Sequence, residues 1–274
     1  MLLEIPQPYD FELSAARFRT FGSDRATVWH EGGLHRVAAG QEVRVTAAPG
    51  GVAIEPWSEE AAAEVGRLLG LPFDLDAFRA FAARDAVLGE IVESLPGLRP
   101  PLNPQPFEAL VVAITAQQIS LRAAAAIRAN LVERFGTRHE VAWEFPTRER
   151  LREVHPHHLT VLGFSGRKAE YVLELAHADL DFDELATMPD GQVIEAITSV
   201  RGLGRWTADW YLARHLARPI AWPAGDLGVR KAVSTFYAGG RPLTIEEVRS
   251  MGERFAPFQN LSAQFLLAGA RMHG

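Results

Sequence analysis

The chain has 274 residues, of which 47% are apolar and 23% charged, and this composition is typical of a soluble globular protein with a sizeable core. It contains no cysteine, which excludes disulfides, thiolate zinc sites and cysteine-ligated iron–sulfur clusters. No long apolar run and no signal-like N-terminus are present, so we expect a cytoplasmic protein without a membrane anchor.

The charge is unevenly distributed along the chain. The formal net charge of −6 argues by itself against a basic nucleic-acid-binding protein. All of that excess lies in residues 1–76, whereas residues 77–274 are balanced and residues 196–232 carry a local charge of +4. Such a window can attract a phosphate backbone, although short windows of this charge are common and prove little alone.

Residues 1–76 predict a small α+β domain, to which we assign no chemistry. A helical pattern lies near Phe11–Phe21, and Ser58 is placed to cap a second helix. Between them, alternating apolar and polar residues separated by glycine-rich turns predict an antiparallel meander. The four predicted strands are Ala26–His30, Leu34–Ala38, Glu42–Thr46 and Val52–Glu55.

From Asp74 onward the strand pattern gives way to successive helices. Asp74 is placed as an N-cap, and the prolines between Pro96 and Pro106 predict a rigid connector. Two helices then meet at Gln117-Gln118-Ile119-Ser120, which, considered alone, is equally well a solvated helix end with Ser120 as the cap. Later helices are expected over Leu227–Tyr237, Ile245–Phe255 and Leu261–Met272.

A second junction, Gly202-Leu203-Gly204-Arg205-Trp206-Thr207-Ala208, connects two further helical patterns. A glycine-rich turn that opens a helix directs free backbone N–H groups and the positive end of the helix dipole outward, and this suits an anion. A Gly-x-Gly pair alone, however, is more often an ordinary helix C-cap.

The longer pattern is more specific. This string is followed, about twenty residues past the turn, by an Asp within Trp222-Pro223-Ala224-Gly225-Asp226, and together they resemble the helix-hairpin-helix DNA glycosylase superfamily. Within it the chain is similar to the bacterial 3-methyladenine DNA glycosylase II branch. With Pro106-Phe107-Glu108-Ala109 and Gln117-Gln118-Ile119-Ser120, the resemblance covers roughly residues 100 to 270.

The resemblance implies the fold class and the domain organisation. We expect a mostly α-helical protein, in which a helix-hairpin-helix glycosylase domain over residues 77–274 follows an N-terminal α+β sheet domain over residues 1–76. Within the helical part, a hairpin subdomain over residues 101–218 would be inserted between segments 77–100 and 219–274.

Asp226 follows Pro-Ala-Gly at the start of a helix, so its ordinary role would be an N-cap. The resemblance assigns it instead the role of the essential carboxylate. Cleavage of a nucleoside N-glycosidic bond builds positive charge on the sugar, and a fixed carboxylate stabilises that charge and can orient or deprotonate the attacking water. A second acid is unnecessary when the departing base is already cationic.

Three tryptophans accompany this acid. Trp206 and Trp210 lie at i and i+4, and Trp222 precedes the Asp226 loop. Aromatic residues at this spacing are usually core, but an indole face also attracts a cationic ring by on the order of 0.5–2 kcal/mol. The resemblance places Trp206 in the base pocket, with Trp210 and Trp222 as neighbouring candidates.

Trp206 also occupies the position at which strand-cleaving relatives carry a nucleophilic lysine. The only lysines of the chain are Lys168 and Lys231, and neither belongs to the motif. We therefore expect no covalent Schiff base with the sugar and no lyase activity.

The resemblance also implies where duplex DNA is held. Gln117 and Gln118 would enter the minor groove, where Gln118 fills the gap left by the flipped nucleotide. Gly202, Gly204 and Arg205 are expected to hold a phosphate, and Thr207 is a further DNA-binding candidate.

Only one non-protein group is implied. In the family, hairpin carbonyls hold a monovalent cation that bridges to DNA, and the matching carbonyls are those of Thr198, Val200 and Leu203. No other cofactor is expected, and no obligate protein partner is inferred.

The sequence thus predicts a DNA glycosylase that removes alkylated purines from double-stranded DNA. Two alternatives stay open, namely the same fold acting on deaminated or oxidised bases, and a non-enzymatic DNA-binding module. The final helix, around Phe265-Leu266-Leu267, lacks the large aromatic residue that some family members add to the pocket, so we expect a plain pocket wall with few hydrogen-bonding side chains.

Overall fold

The computed structural model describes residues 1–20 and 24–272. Its N-terminal part contains one antiparallel sheet, whose strands are β1 (Leu2–Glu4), β2 (Thr27–His30), β3 (Gly33–Ala38), β4 (Gln41–Ala48) and β5 (Gly51–Glu55). The strand order is β1-β5-β4-β3-β2, so the last four form the predicted meander and β1 adds to its end. The sequence did not reveal β1, because three residues are too few to show an alternation.

Side-chain alternation decides which face of the sheet is buried. Val43 and Val45 of β4 are fully buried, whereas Arg44 between them is exposed. Val45 lies opposite Leu34 of β3 and Ile54 of β5, which are also fully buried. This row of cross-strand contacts forms the centre of the N-terminal core.

Three helices accompany the sheet: α1 (Phe11–Ala15), α2 (Arg17–Thr20) and α3 (Glu59–Leu68). The helix predicted near Phe11–Phe21 is therefore two short helices, and Phe21 lies outside the described residues. The break falls at Ala16, whose N–H donates to the Leu13 carbonyl three residues back. Helix α3 begins as predicted, because the Ser58 hydroxyl accepts from the Ala61 N–H at 3.1 Å.

The rest of the described chain is mostly helical, which confirms the predicted fold class. A two-stranded sheet of β6 (Thr137–Arg138) and β7 (Trp143–Glu144), which the sequence did not predict, interrupts the helices. The helices are α4 (Leu75–Ala82), α5 (Ala86–Glu93), α6 (Pro106–Ala116), α7 (Leu121–Phe135), α8 (Arg148–Arg152), α9 (Pro156–Thr160), α10 (Gly166–His177), α11 (Phe182–Thr187), α12 (Asp190–Ser199), α13 (Arg205–Arg214), α14 (Leu227–Tyr237), α15 (Ile245–Met251) and α16 (Gln259–Met272).

Local capping determines where several of these helices begin. The Asp74 carboxylate accepts from the Ala77 N–H at 3.0 Å, and the Ser120 hydroxyl accepts from the Ala123 N–H at 3.2 Å. Both are the predicted N-caps of α4 and α7. The helix expected over Ile245–Phe255 ends in a 3-10 turn at Gly252–Phe255, and α16 begins two residues before its predicted start.

The two parts of the molecule have separate hydrophobic cores that a buried ion pair connects. The N-terminal core extends to Leu69, and the helical core begins at Phe73 and continues through α16. Between them, Arg36 Nη2 of β3 donates to Glu108 Oε2 of α6 at 2.5 Å, with both side chains 5% exposed. This pair positions α6, and the junction at its C-terminal end, relative to the sheet. The division of the helical part at residues 101–218 stays a prediction.

None of the helices in residues 1–20 and 24–272 is long and apolar enough to cross a membrane.

Candidate active site

One cavity of about 1450 Å³ brings together the two junctions that the sequence singled out. Gln117 and Gln118 line it from the α6–α7 junction, and Gly204 and Trp206 line it from the start of α13. Asp226, at the start of α14, lies on the same wall. The size and the convergence of polar and aromatic groups are typical of a ligand-binding cleft.

Asp226 is an acid of this cavity that several hydrogen bonds hold in place. It is the N-cap of α14, and its Oδ1 accepts from the Val229 N–H at 3.0 Å. Its Oδ2 accepts two indole N–H groups, from Trp206 at 3.0 Å and from Trp210 at 3.1 Å. The carboxylate is half-buried and its orientation is fixed by three donors before any substrate arrives.

The three predicted tryptophans have different roles in the structure. Trp206 is half-buried and lines the cavity, so one of its faces is accessible to a ligand. Trp210 is 9% exposed, and Arg214 Cζ lies 4.2 Å from the centre of its ring. The indole face that this guanidinium covers is therefore not available to a base.

Trp222 does not line the cavity, and the predicted contact with a base is wrong for this residue. Its ring is 8% exposed and packs against Phe255 at 5.3 Å, while its N–H donates to the Val248 carbonyl at 2.8 Å. Proximity to Asp226 in sequence was misleading, because the Pro-Ala-Gly loop directs the two side chains to different surroundings. Trp222 is a core residue.

The α6–α7 junction forms an exposed tip at the cavity mouth. Gln118 is exposed and adopts a left-handed backbone with φ of +55°, which is uncommon for a residue other than glycine. Beside it, the apolar side chains of Ile119 and Leu121 are 38% and 49% exposed. A tip with a polar end and apolar flanks has the character of a wedge that enters a nucleic-acid groove.

Gln117 faces the other way and connects the two junctions. Its Nε2 donates to the Gly202 carbonyl at 3.1 Å and, more weakly, to Thr207 Oγ1 at 3.5 Å. Thr207 lines the cavity but is only 1% exposed, and its contact with DNA stays a prediction. Both residues hold the tip against the hairpin.

The two hairpin glycines are required for different reasons. Gly202 has φ of +91°, and a Cβ built there would lie 2.0 Å from Cγ of Tyr171. Gly204 is the N-cap of α13, is exposed, and would direct a Cβ into open space. The backbone at Gly204 is thus accessible for a phosphate to approach the first N–H groups of α13.

Arg205 stands beside this exposed backbone with a partly free guanidinium. Its Nε donates to Asp209 Oδ1 at 2.7 Å, and its side chain is 53% exposed. Burial raises the pKa of Asp209, while the hydrogen bond and charge of Arg205 oppose that shift. The ion pair holds the arginine stem, so its remaining N–H groups are oriented outward.

The three carbonyls predicted to hold a cation lie where α12 ends. The Val200 carbonyl accepts from the Leu203 N–H at 3.1 Å, and this bond closes the turn between Val200 and Leu203. A helix C-terminus carries partial negative charge, so the surroundings are favourable for a cation.

Sequence reasoning missed several polar side chains of the cavity, and the expectation of a plain wall was wrong. Helix α16 contributes Gln264 and Arg271, seven residues apart on one face. Arg214 lies one helical turn beyond Trp210 on the same face of α13. This spacing could have identified it as a cavity residue. Arg17 of α2 is another polar residue that lines the cavity. The apolar Leu227, which follows Asp226 and is 60% exposed, lines it as well.

The chain matches a known family over more than half of its length. Residues 111–257 match the model of the HhH-GPD superfamily base excision DNA repair proteins. The DNA-3-methyladenine glycosylase of Bacillus subtilis is 28% identical over 222 residues, which are 78% of this chain and 73% of that protein. DNA-3-methyladenine glycosylase 2 of Escherichia coli is 29% identical over 214 residues, which are 76% of this chain and 71% of that protein.

A solved structure is similar over the whole molecule. The 3-methyladenine DNA glycosylase from Archaeoglobus fulgidus has a TM-score of 0.91 at 28% identity, covering 100% of this chain and 99% of that one. Schizosaccharomyces pombe Mag1, in complex with abasic DNA, has a TM-score of 0.62 at 26% identity, covering 68% of this chain and 92% of that one. This chain belongs to the HhH-GPD superfamily of base excision DNA repair proteins.

Proposed function

We propose that this protein is a monofunctional DNA glycosylase that hydrolyses the N-glycosidic bond of alkylated purines, such as 3-methyladenine and 7-methylguanine. The nucleotide would first be flipped out of duplex DNA, because the bond is not accessible within the stack. The observation that carries the proposal is the Asp226 carboxylate, which two indole N–H groups hold at the wall of a large cavity. A module that only binds DNA needs no such arrangement.

The chemistry assigned to Asp226 follows from its fixed orientation. As the bond to the base breaks, positive charge develops on the sugar, and a preorganised carboxylate stabilises this charge without having to reorganise. The same oxygen atoms can accept a proton from the attacking water. A base that carries a positive charge leaves as a neutral molecule and needs no general acid.

The neighbouring elements would position the DNA. The exposed backbone of Gly204 and the outward guanidinium of Arg205 are placed to meet a phosphate, and the Gln118 tip is placed to fill the gap in the duplex. Since Gln117 bonds the tip to the hairpin carbonyl of Gly202, phosphate binding and wedge insertion would occur as one rigid unit.

Replacement of Asp226 by Asn tests the proposal. The amide keeps the size of the side chain and an oxygen that can cap α14, so the fold and the duplex affinity should persist, whereas the single-turnover excision rate should fall by about 10²–10³-fold or more. The matched control is Asp74→Asn, which makes the same change at the N-cap of α4, outside the cavity. A near-normal rate for Asp226→Asn would remove this carboxylate from the mechanism.

The proposal includes the absence of lyase activity. The side chain of Lys168 packs against the protein, since its Nζ donates to the Thr115 carbonyl at 2.8 Å. Burial lowers the pKa of Lys168. Lys231 lies at the exposed edge of the cavity. Borohydride reduction during turnover should trap no covalent protein–DNA complex, in contrast to a glycosylase-lyase tested in parallel. An efficient, lesion-dependent adduct would contradict the assignment, and loss of that adduct in Lys231→Gln would identify the nucleophile.

A monovalent cation at the hairpin is a further part of the proposal. The carbonyls of Thr198, Val200 and Leu203 fit such an ion in kind, because neutral oxygen ligands at a helix C-terminus favour a hard cation. When bound, the ion would supply positive charge toward a DNA phosphate. The protein itself contributes the neighbouring N–H groups of α13, whose helix dipole favours the same phosphate.

A further inference from the structure

Two arginines in the cavity have no hydrogen-bond acceptor among residues 1–20 and 24–272. Arg214 at the end of α13 and Arg17 of α2 both line the cavity that contains Asp226. Within the described residues, no carbonyl, carboxylate or hydroxyl accepts a hydrogen bond from either guanidinium. Arg214 Nε is fully enclosed and lacks a partner.

Other enclosed arginines in the described part of the chain differ in their terminal nitrogens, which have acceptors, although the Nε atoms of Arg36, Arg99 and Arg218 also lack a partner. Arg36 donates to Glu108 and to Thr27 Oγ1, and Arg99 Nη1 donates to the carbonyls of Gly70 and Phe73. Arg218 Nη2 likewise donates to two carbonyls. A guanidinium presents five donors, and leaving them unused away from bulk water is unfavourable. Arg214 and Arg17 are therefore placed to bind a group that enters the cavity.

The position of Arg214 relative to Asp226 indicates what this group is. One indole lies between them, because Trp210 donates its N–H to Asp226 at 3.1 Å and carries the Arg214 guanidinium on its face at 4.2 Å. A flipped nucleotide has its sugar at Asp226, so the base extends from there into the cavity. Because Asp226 and Arg214 line the same cavity, the edge of the base remote from the sugar can meet the guanidinium there.

We propose that Arg214, assisted by Arg17, is a specificity-determining residue that donates a hydrogen bond to an oxygen atom on the remote edge of the flipped base. This proposal rests on the glycosylase function proposed above and names the substrate class of that site. A 6-oxo purine presents a carbonyl acceptor at this edge, whereas a 6-amino purine presents N–H donors that face the donors of the arginine. The protein should therefore excise alkylated 6-oxo purines better than alkylated 6-amino purines.

The electrostatics of the cavity agree with this assignment. Burial and, to a smaller extent, the charge of Arg271 lower the pKa of Arg214 to about 10, while Asp226 opposes the shift. Burial and the charges of Arg214, Arg271 and Arg128 also lower the pKa of Arg17, with Asp24 in opposition. Several positive charges are thus crowded in one enclosed region. An oxygen atom that accepts a hydrogen bond from a guanidinium stabilises this charge, whereas a base edge that carries only N–H donors does not.

The test uses two lesions that differ at C6. Duplexes contain 7-methylhypoxanthine or 7-methyladenine at one site, in buffer acidic enough that both bases carry a single positive charge. Single-turnover excision rates are divided by the rates of spontaneous release, and the 6-oxo to 6-amino ratio is compared among variants. Because any effect of charge or of folding acts on both lesions, this ratio isolates the hydrogen bond.

The decisive variant is Arg214→Met, which keeps an unbranched stem on Trp210 and removes the donors. The wild-type ratio should exceed one, and Arg214→Met should lower it by about tenfold, the effect of one charge-assisted hydrogen bond. Arg17→Met, on a different element, should lower it by a smaller factor. Arg254→Met is the matched control, because Arg254 stacks on Tyr237 at 4.5 Å outside the cavity and should leave the ratio unchanged.

The outcomes separate the two proposals. If the wild-type protein excises neither lesion nor 3-methyladenine, the glycosylase function itself fails. If it excises them but Arg214→Met and Arg17→Met change both lesions by the same factor, the arginines only pack against the cavity wall and the specificity assignment is overturned. Circular dichroism and thermal melting of each variant verify that it is folded.

Discussion

At the scale of single residues, Trp206 combines two functions that can be separated. Its indole N–H donates to Asp226 Oδ2, and its ring lines the cavity where a base would stack. Trp206→Phe removes the N–H and keeps a ring, so excision of every lesion should fall by about tenfold through loss of one hydrogen bond to a charged group. Trp206→Leu also removes the aromatic face. The excision rate should then fall more for 7-methylguanine than for hypoxanthine, because only a cationic ring gains cation–π attraction.

Single-turnover rates on matched duplexes with both lesions check this prediction. Trp222→Phe is the control, because that N–H donates to the Val248 carbonyl in the core. It should lower stability without changing the selectivity between the two lesions. An equal loss on both lesions for Trp206→Leu would mean that the ring supports the fold and not the base.

At the scale of elements, the hairpin between α12 and α13 depends on two glycines in ways that predict opposite phenotypes. Gly202→Ala places a methyl group against Tyr171 in a left-handed backbone, so it should destabilise the protein by about 2 kcal/mol or more. Gly204→Ala meets no neighbour and has an ordinary extended backbone, so it should leave the melting temperature nearly unchanged. Its methyl group should instead weaken duplex binding several-fold for every lesion, since phosphate contacts carry no base information.

Thermal melting and fluorescence anisotropy with labelled duplexes distinguish the two variants. Gly191→Ala, in the first turn of α12 and also free of neighbours, is the matched control for an added methyl group. If Gly204→Ala altered lesion preference and kept full affinity, the turn would belong to the base pocket.

At the scale of the whole molecule, His215 links stability to pH. It lies at the end of α13, is 6% exposed, and donates from Nδ1 to the Asn103 carbonyl at 2.8 Å. Burial lowers its pKa to about 4, and the nearby charge of Arg67 acts in the same direction, while the bond to Asn103 opposes it. The connector before α6 and the end of α13 are thereby held together by a neutral imidazole.

The sign of the pH dependence follows from this lowered pKa. As the pH falls below about 6.5, the unfolded chain binds a proton at this histidine while the folded protein does not, so stability is lost between about pH 6.5 and pH 4. Between pH 7 and pH 5 the contribution should be about 2 kcal/mol. Urea unfolding at the two pH values should show a smaller difference for His215→Asn than for the wild type, whereas the exposed His158→Asn should not change it. An unchanged difference in His215→Asn would assign the slope to other groups.

Much of the architecture could be predicted from the sequence because the deciding interactions are local. N-caps such as Ser58, Asp74 and Ser120 satisfy backbone groups only three residues away, and the meander follows from a two-residue alternation. Asp226 is both a helix cap and the constrained acid of the cavity, and its motif lies within a few residues. The roles of the predicted site residues in DNA binding and catalysis stay predictions.

The sequence by itself determined the fold class, the family resemblance and the presence of one acid beside a glycine-rich hairpin. Only the tertiary structure decided which side chains accompany that acid. Trp222 is adjacent in sequence but packs in the core, whereas Arg17 comes from the N-terminal domain and reaches the cavity. The physical reason is that the composition of a cavity depends on how distant elements pack, and neither spacing nor local propensity encodes those contacts.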